Sequence, residues 1–338
     1  MARTNLAWFV LEERGPNTLH SATAGAERSP PLLTTATLSA FEISLPYAAL
    51  PANFRDAITI TRELGIRYLW IDSLCILQDS KQDWEQESKE MGHVYRDSTL
   101  TISAMASSGS SVGILRPDPS PLPMPRPTIL KVLSDNGDFV EIKVERKPFG
   151  EEDLALLDMR GPLSSRGWTL QESVLSPRHL FYGKRQIYWR CPAGFQSADG
   201  LPPGRKSPPY VFDDIASVLF SDILNQPPKE VPDVSVLLRD YYDLVQTYSH
   251  RKLTFASDKL PAFSGLAQRL HPTLGGDYLA GIWSSDIRCG LLWHSEVNYC
   301  EHVKPYRAPS WSWAVTDGMV IFPNHMLRPS PSDMRAAI

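Results

Sequence analysis

Residues Leu50–Ala106 read LPANFRDAITITRELGIRYLWIDSLCILQDSKQDWEQESKEMGHVYRDSTLTISAMA. Asn53 stands where a helix N-cap would, and Phe54, Ala57, Ile58, Thr61 and Leu64 recur at helical spacing until Gly65 supplies a stop. Ile66–Ile71 (IRYLWI) is a mostly apolar run bounded by polar residues, the pattern of a strand covered on both faces. After the polar turn Gln78–Gln82 a second helix is expected from about Asp83 to Tyr95, and Thr99–Ala104 (TLTISA) alternates in strand fashion with β-branched residues. Helix, strand, helix, strand in this order predicts an α/β fold with an open, mostly parallel sheet flanked by helices.

The same stretch holds two candidate catalytic carboxylates. Asp72 ends the IRYLWI run, and ligands of open α/β sheets bind beyond the carboxyl ends of the strands; the alternative is that Asp72 caps the next turn through Ser73 or neighbouring amides. At 100° per residue, Trp84, Ser88, Met91, Val94 and Tyr95 share one side of the second helix, while Glu85, Gln86 and Lys89 point away. Glu87 falls between Met91 and Val94. A carboxylate on an apolar face must find a partner or shift its pKa upward, so Glu87 is either a functional acid or the partner of Arg55, Arg62 or Arg166. Glu85 and Glu90 belong to a solvated face.

Composition narrows the function classes. The 338 residues are 42% apolar and 21% charged, an ordinary globular balance, and a net charge of -4 gives no basic field for nucleic acid. The longest apolar runs are too short to span a bilayer, and MARTNLAWFVLEERG lacks the core and cleavage site of a secretory signal, so a cytoplasmic protein is expected. The four cysteines, Cys75, Cys191, Cys289 and Cys300, form no close C-x-x-C pair and suit a reducing compartment. Cys289, His294, Cys300 and His302 lie near one another without a common zinc spacing, so no metal is assigned. Of the 29 prolines, many cluster in Arg116–Pro127, Leu201–Pro209 and Pro227–Pro232, which read as loops dividing the chain into three blocks.

In the second block, Ser164 or Ser165 is expected to cap a short helix carrying Trp168 and Leu175, followed by a hairpin of His179–Tyr182 and Gln186–Cys191 around Gly183-Lys184. Arg166 and Glu172 are its notable polar residues, and pairing with each other is their bland reading. In the third block, Val234–His250 and Asp258–Leu270 carry helical spacing, and Trp283, Trp293, Trp311 and Trp313 provide bulky anchors.

Taken together, LPANFRDAI, LGIRYLWIDSLCILQD, DWEQESKEMGHVYRDSTLTISA and PLSSRGWTLQESVLSPRHLFY resemble the HET domain of filamentous fungi, named for heterokaryon incompatibility. The resemblance covers Leu32 to about Leu175; residues 176–338, with YSHRKLTFA, DKLPAFSGLA and APSWSWAVTDG, resemble the α+β extension that often follows. One departure stands out: in place of the family's usual opening aromatic-x-x-Leu-Ser-Tyr-x-Trp-Gly motif, residues 1–31 contain LAWFVLEERGPNTLHSATAGAERSPP, so the usual first strand is expected to be replaced.

The resemblance implies an effector of non-self recognition that triggers programmed cell death, with other incompatibility or NLR-type proteins as partners. HET domains have been likened to TIR domains, which share a flavodoxin-like sheet and in some branches cleave NAD with a helix-borne glutamate. On that analogy NAD is a substrate and no cofactor is retained. Glu87 and Asp72 are then the catalytic candidates, and Trp84, Tyr95 and Arg166 the NAD-binding ones. The alternatives are a non-catalytic signalling module, supported by the absence of familiar catalytic signatures, and an inactive truncated paralogue.

Overall fold

The computed structural model describes residues 9–10, 18–22, 31–115, 128–133, 136–144, 154, 157, 161–198, 213–221, 233–295 and 303–323. The three proline-rich runs, together with Cys300 and His302, lie outside the described residues. In chain order come β1 (Phe9–Val10), β2 (Thr18–Ala22), α1 (Leu38–Ile43), α2 (Ala52–Glu63), β3 (Tyr68–Trp70), α3 (Asp72–Cys75), α4 (Lys81–Arg96) and β4 (Leu100–Ser103). A hairpin of β5 (Thr128–Leu133) and β6 (Phe139–Val144) precedes α5 (Trp168–Leu175), β7 (His179–Tyr182), β8 (Ile187–Cys191) and β9 (Gly194–Ser197). The helices α6 (Asp213–Leu219), α7 (Val234–Ser249) and α8 (Pro261–Leu274) follow.

This is a mixed α/β fold, and its main sheet has the strand order β1-β3-β2-β4-β7-β8-β9. Among β4, β7, β8 and β9 only β4 and β7 pair in parallel; β7–β8 and β8–β9 are antiparallel. β2 pairs in parallel with both β3 and β4, and β1 lies antiparallel on β3. The expectation of a mostly parallel sheet is therefore corrected to a mixed one. Parallel strands need a long crossover, and α4 carries the chain from β3 past β2 to β4 on the far side of it; the tight Gly183-Lys184 turn, closed by Gly183 N–H on the Gln186 carbonyl at 3.0 Å, permits only an antiparallel return.

Local chemistry sets the element ends. Gly65, at φ +66°, ends α2 in a conformation that costs other residues a Cβ clash. Asn53 is not the cap: Pro51 holds that place, and the buried Asn53 amide donates to Ser107 Oγ at 3.1 Å, tying α2 to the loop after β4. Ser80 caps α4 by accepting the Asp83 N–H at 3.2 Å. Neither Ser164 nor Ser165 caps α5, since their hydroxyls donate to the carbonyls of Leu157 and Pro162.

Alternation along the strands sorts the core into two sides. Leu69, Ile71, Leu100 and Ile102 pack with Phe54, Ala57, Ile58 and Ile60 of α2. Trp70 faces the other way, into a larger core shared by Met91 and Tyr95 of α4, Leu170 and Val174 of α5, and Leu237, Tyr241, Val245, Phe263 and Leu266 of α7 and α8. The C-terminal helices thus complete the second layer over the sheet. Trp283 and Trp313 are fully buried there, Trp293 packs at the margin, and Trp311 is 41% exposed.

Candidate functional site

The loop after β3 is fixed from several directions. Leu33 N–H donates to the Ser73 carbonyl and Gln78 N–H returns to the Leu33 carbonyl, both at 2.9 Å. Thr35 donates its N–H (2.9 Å) and hydroxyl (2.6 Å) to Asp79, which holds that carboxyl below its usual range. Asp72, separated from β3 by Ile71, opens α3, is exposed, and accepts the Ser73 N–H at 2.7 Å. It therefore satisfies one amide in the first turn of α3, whose N-cap position is held by Ile71, and its carboxylate is also accessible to a ligand.

Behind this loop lies a charge cluster drawn from four segments. Glu172 of α5 is only 9% exposed. It accepts a hydrogen bond from the Tyr95 hydroxyl and lies within electrostatic reach of Arg166, Asp72 and Arg251. Burial raises its pKa to about 7 against the pull of Arg166, with Asp72 adding to the rise. Its Oε2 has no hydrogen-bond partner among the described residues.

Arg251, just beyond α7, is 5% exposed and donates through Nη1 to Thr169 Oγ1 at 3.0 Å and to the Arg166 carbonyl at 3.3 Å. Arg166 is half-buried, and its main chain is pinned by a parallel bridge to Lys252: Lys252 N–H donates to Ser165 O (2.6 Å) and Gly167 N–H to Lys252 O (2.8 Å). The approach at Gly167 is so close that a side chain there would overlap Leu253.

Glu87 stands apart from this cluster. It is half-buried on α4, and among the described residues no cation pairs with it, so the expected bridges to Arg55, Arg62 or Arg166 do not form. Burial first, then the charges of Asp83 and Glu90, raise its pKa above the ordinary carboxylate range. Its charge reaches the buried Cys75 thiol, which burial pushes up strongly.

Against this geometry, residues 23–172 match the family model described as Heterokaryon incompatibility protein (HET). The chain contains a HET domain. The match implies a role in heterokaryon incompatibility, a process of filamentous fungi. No curated protein and no solved structure matches the chain.

Within the HET domain, the structure brings three of the five sequence candidates, Asp72, Tyr95 and Arg166, around Glu172. The other two, Glu87 and Trp84, lie elsewhere on α4. Trp84 packs edge-to-face on Trp168 at 6.4 Å, and Trp168 donates its indole N–H to Asp258 at 3.3 Å. Tyr95 is buried against Trp70 (5.8 Å, edge-to-face), so its ring is not presented for stacking on a nucleotide; its contribution is the hydroxyl on Glu172. The sequence marks Glu172 only as a partner of Arg166 and does not single out Arg251. Its signal is weak, a basic pair directly after the apolar spacing of α7 ends.

Two other polar groups are structural. His179 is fully buried, its pKa driven well down by burial and then by Arg190. Its Nδ1 faces the Arg190 guanidinium at 3.5 Å, so the proton sits on Nε2 and is donated to Ser103 Oγ at 2.6 Å, which leaves Ser103 without a base. Among the described residues no group of histidine, cysteine and carboxylate side chains could hold a metal ion. No helix among them is long and apolar enough to cross a membrane.

Proposed function

We propose that this HET protein is an effector of non-self recognition that triggers programmed cell death, and that it does so by cleaving NAD at the nicotinamide ribosyl bond on a flavodoxin- or TIR-like sheet. The incompatibility role rests on the family match over residues 23–172. The chemistry rests on one observation, the half-buried Glu87 with no cation among the described residues to neutralise it. As the ribosyl bond breaks, nicotinamide leaves neutral and oxocarbenium-like positive charge builds on the sugar; a carboxylate that solvent-side substrate can reach stabilises that charge until water adds to the anomeric carbon and releases a proton. Glu172 cannot take this part directly, because its Oε2 is buried. Asp72, exposed beyond β3, is placed to accept ribose hydroxyls.

The test is expression of the full chain in a filamentous fungus, following growth and cellular NAD. Growth arrest with NAD loss, both abolished by Glu87→Gln, supports the reading. Arrest at constant NAD removes cleavage and leaves signalling by recruitment.

That second reading has its own support. The hairpin β5–β6 places Leu130, Val132, Val140, Ile142 and Val144 on one face, all exposed, with only Thr128 interrupting the aliphatic surface. Among the described residues nothing covers this face; a two-stranded hairpin with an uncovered apolar face is marginal in water, and such faces mark contact surfaces.

A further inference from the structure

We propose that the protein associates with a second copy of itself through the outer edge of β6, the two β6 strands running antiparallel about a twofold axis at Ile142. This rests on the recruitment reading of the hairpin above, which it commits to one partner, and makes no use of NAD cleavage.

All twelve residues of β5 and β6 are exposed, and eight of them are large and apolar. The register sets Leu130 opposite Ile142 and Val132 opposite Val140 on one face; Lys131, Glu141 and Lys143 share the other with Ile129, Leu133 and Phe139. The two strands form a sheet by themselves, so among the described residues β6 is paired with a strand on one side only. An apolar strand edge of this kind is a template for another strand, and a sheet of three or more strands with an apolar face is stable in water where a lone hairpin is marginal. Two hairpins joined edge to edge make four strands.

The charges of β6 select the strand that fits this edge. With the axis at Ile142, that residue faces the partner's Ile142, Val140 faces the partner's Val144, and Glu141 faces the partner's Lys143. The aliphatic face then runs unbroken over four strands, and both charged pairs at the seam join opposite signs. A slide by two residues sets Glu141 against the partner's Glu141 in one direction and Lys143 against the partner's Lys143 in the other. A slide by one sets aliphatic side chains opposite charged ones and breaks the face. Longer slides leave too little strand in contact.

The outer edge of β5 offers no such match to a second β5, since its one charge, Lys131, meets itself or an uncharged residue in every antiparallel register. Seating β5 on the partner's β6 pairs Lys131 with Glu141 but leaves Lys143 opposite Ile129, and this head-to-tail contact has no twofold axis to close it. Only the sign across the β6 seam matters for the match: Glu141 already lies 3.4 Å from Lys131 within its own hairpin, and an exposed carboxylate can accept a second ammonium. A seam of this length is small beside the roughly 1,600 Å² of stable complexes, so association depends on concentration.

The experiment is sedimentation velocity of the full chain over a wide range of concentration. Wild type is expected to pass from monomer to dimer as concentration rises, and no further. By the twofold symmetry one charge reversal alters both seam pairs, so Glu141→Lys and Lys143→Glu should each weaken association at least tenfold. An equal mixture of these two variants again sets opposite signs against each other at both pairs and should recover dimers, which mere loss of hairpin stability would not do. Ile142→Cys places two thiols across an antiparallel pair, with Cα atoms about 4.5–5.5 Å apart and within disulfide reach. It should crosslink under mild oxidation beyond the background of the four native cysteines, whereas Leu130→Cys on β5 should not.

A wild type that stays monomeric overturns the inference and leaves the hairpin to a different partner. So do dimers that both charge reversals leave untouched, or that the mixture fails to restore. Crosslinking at Leu130→Cys without Ile142→Cys would assign the contact to the aliphatic faces, and growth beyond the dimer would assign it to β5 on β6, each against the inference. The parent reading fails separately: a dimer that forms as expected in a chain whose expression leaves fungal growth unaffected keeps the self-association and removes recruitment as its use.

Discussion

Gly92 of α4 and Gly265 of α8 meet backbone to backbone, so that a methyl group built on either would lie 3.0 Å from the Cα of the other. Gln171 of α5 closes the contact by accepting the Gly265 N–H at 2.9 Å. This three-helix junction fastens α8 to the part of the molecule that carries Glu87 and Glu172.

Gly265→Ala tests the junction. Alanine is the better helix former by about 1 kcal/mol, yet its methyl meets Gly92 and the Gln171 amide, neither of which can withdraw cheaply. We expect net destabilisation of about 1–3 kcal/mol, read as a lower midpoint in urea. A midpoint equal to or above wild type would show that the helices separate without cost.

Glu172→Gln tests the buried acid through pH. The unfolded carboxyl titrates near 4.5 and the folded one at about 7, so the folded state holds more protons between those values. The contribution of Glu172 to stability is therefore full below about pH 4.5 and is lost as pH rises through 7, on the order of 3 kcal/mol in all. The difference in unfolding free energy between wild type and Glu172→Gln should drift by that order across the interval. A difference that stays flat with pH contradicts the burial of this charge.

Lys259 should behave with the opposite slope. It is fully buried, donates to the Ser249 carbonyl at 2.5 Å, and lies 3.9 Å from Asp317, which also pairs with Arg307 at 2.8 Å. Burial lowers its pKa from 10.5 to about 8, with Asp317 resisting and Arg307 assisting. The folded state thus holds fewer protons than the unfolded one between pH 8 and 10.5, and stability from this group rises with pH across that window. Lys259→Met should abolish the rise; an unaltered slope would assign it to another group.

Elements with strong periodicity were legible in the sequence, and residues that act across the fold were not. The spacing of Leu237, Tyr241, Leu244, Val245 and Tyr248 gave α7 directly, because all five are fully buried on one face. The hairpin around Gly183 was equally plain. β2 has no signal of its own in the sequence, since a short segment without a motif gains its strand character from the pairing with β3 and β4. Glu172 looked like half of an ordinary ion pair because the sequence does not show that Tyr95, Asp72 and Arg251 converge on it. Asn53 misled in a similar way: a good capping residue one position inside a helix was used for a tertiary hydrogen bond.

The central claim is that Glu87 serves NAD cleavage, and the direct measurement is nicotinamide release from NAD by the purified full chain, compared with Glu87→Gln at equal folded concentration. The account predicts steady release by wild type that falls at least a hundredfold in the variant. Release that persists in Glu87→Gln, or none from wild type at high protein concentration, contradicts it.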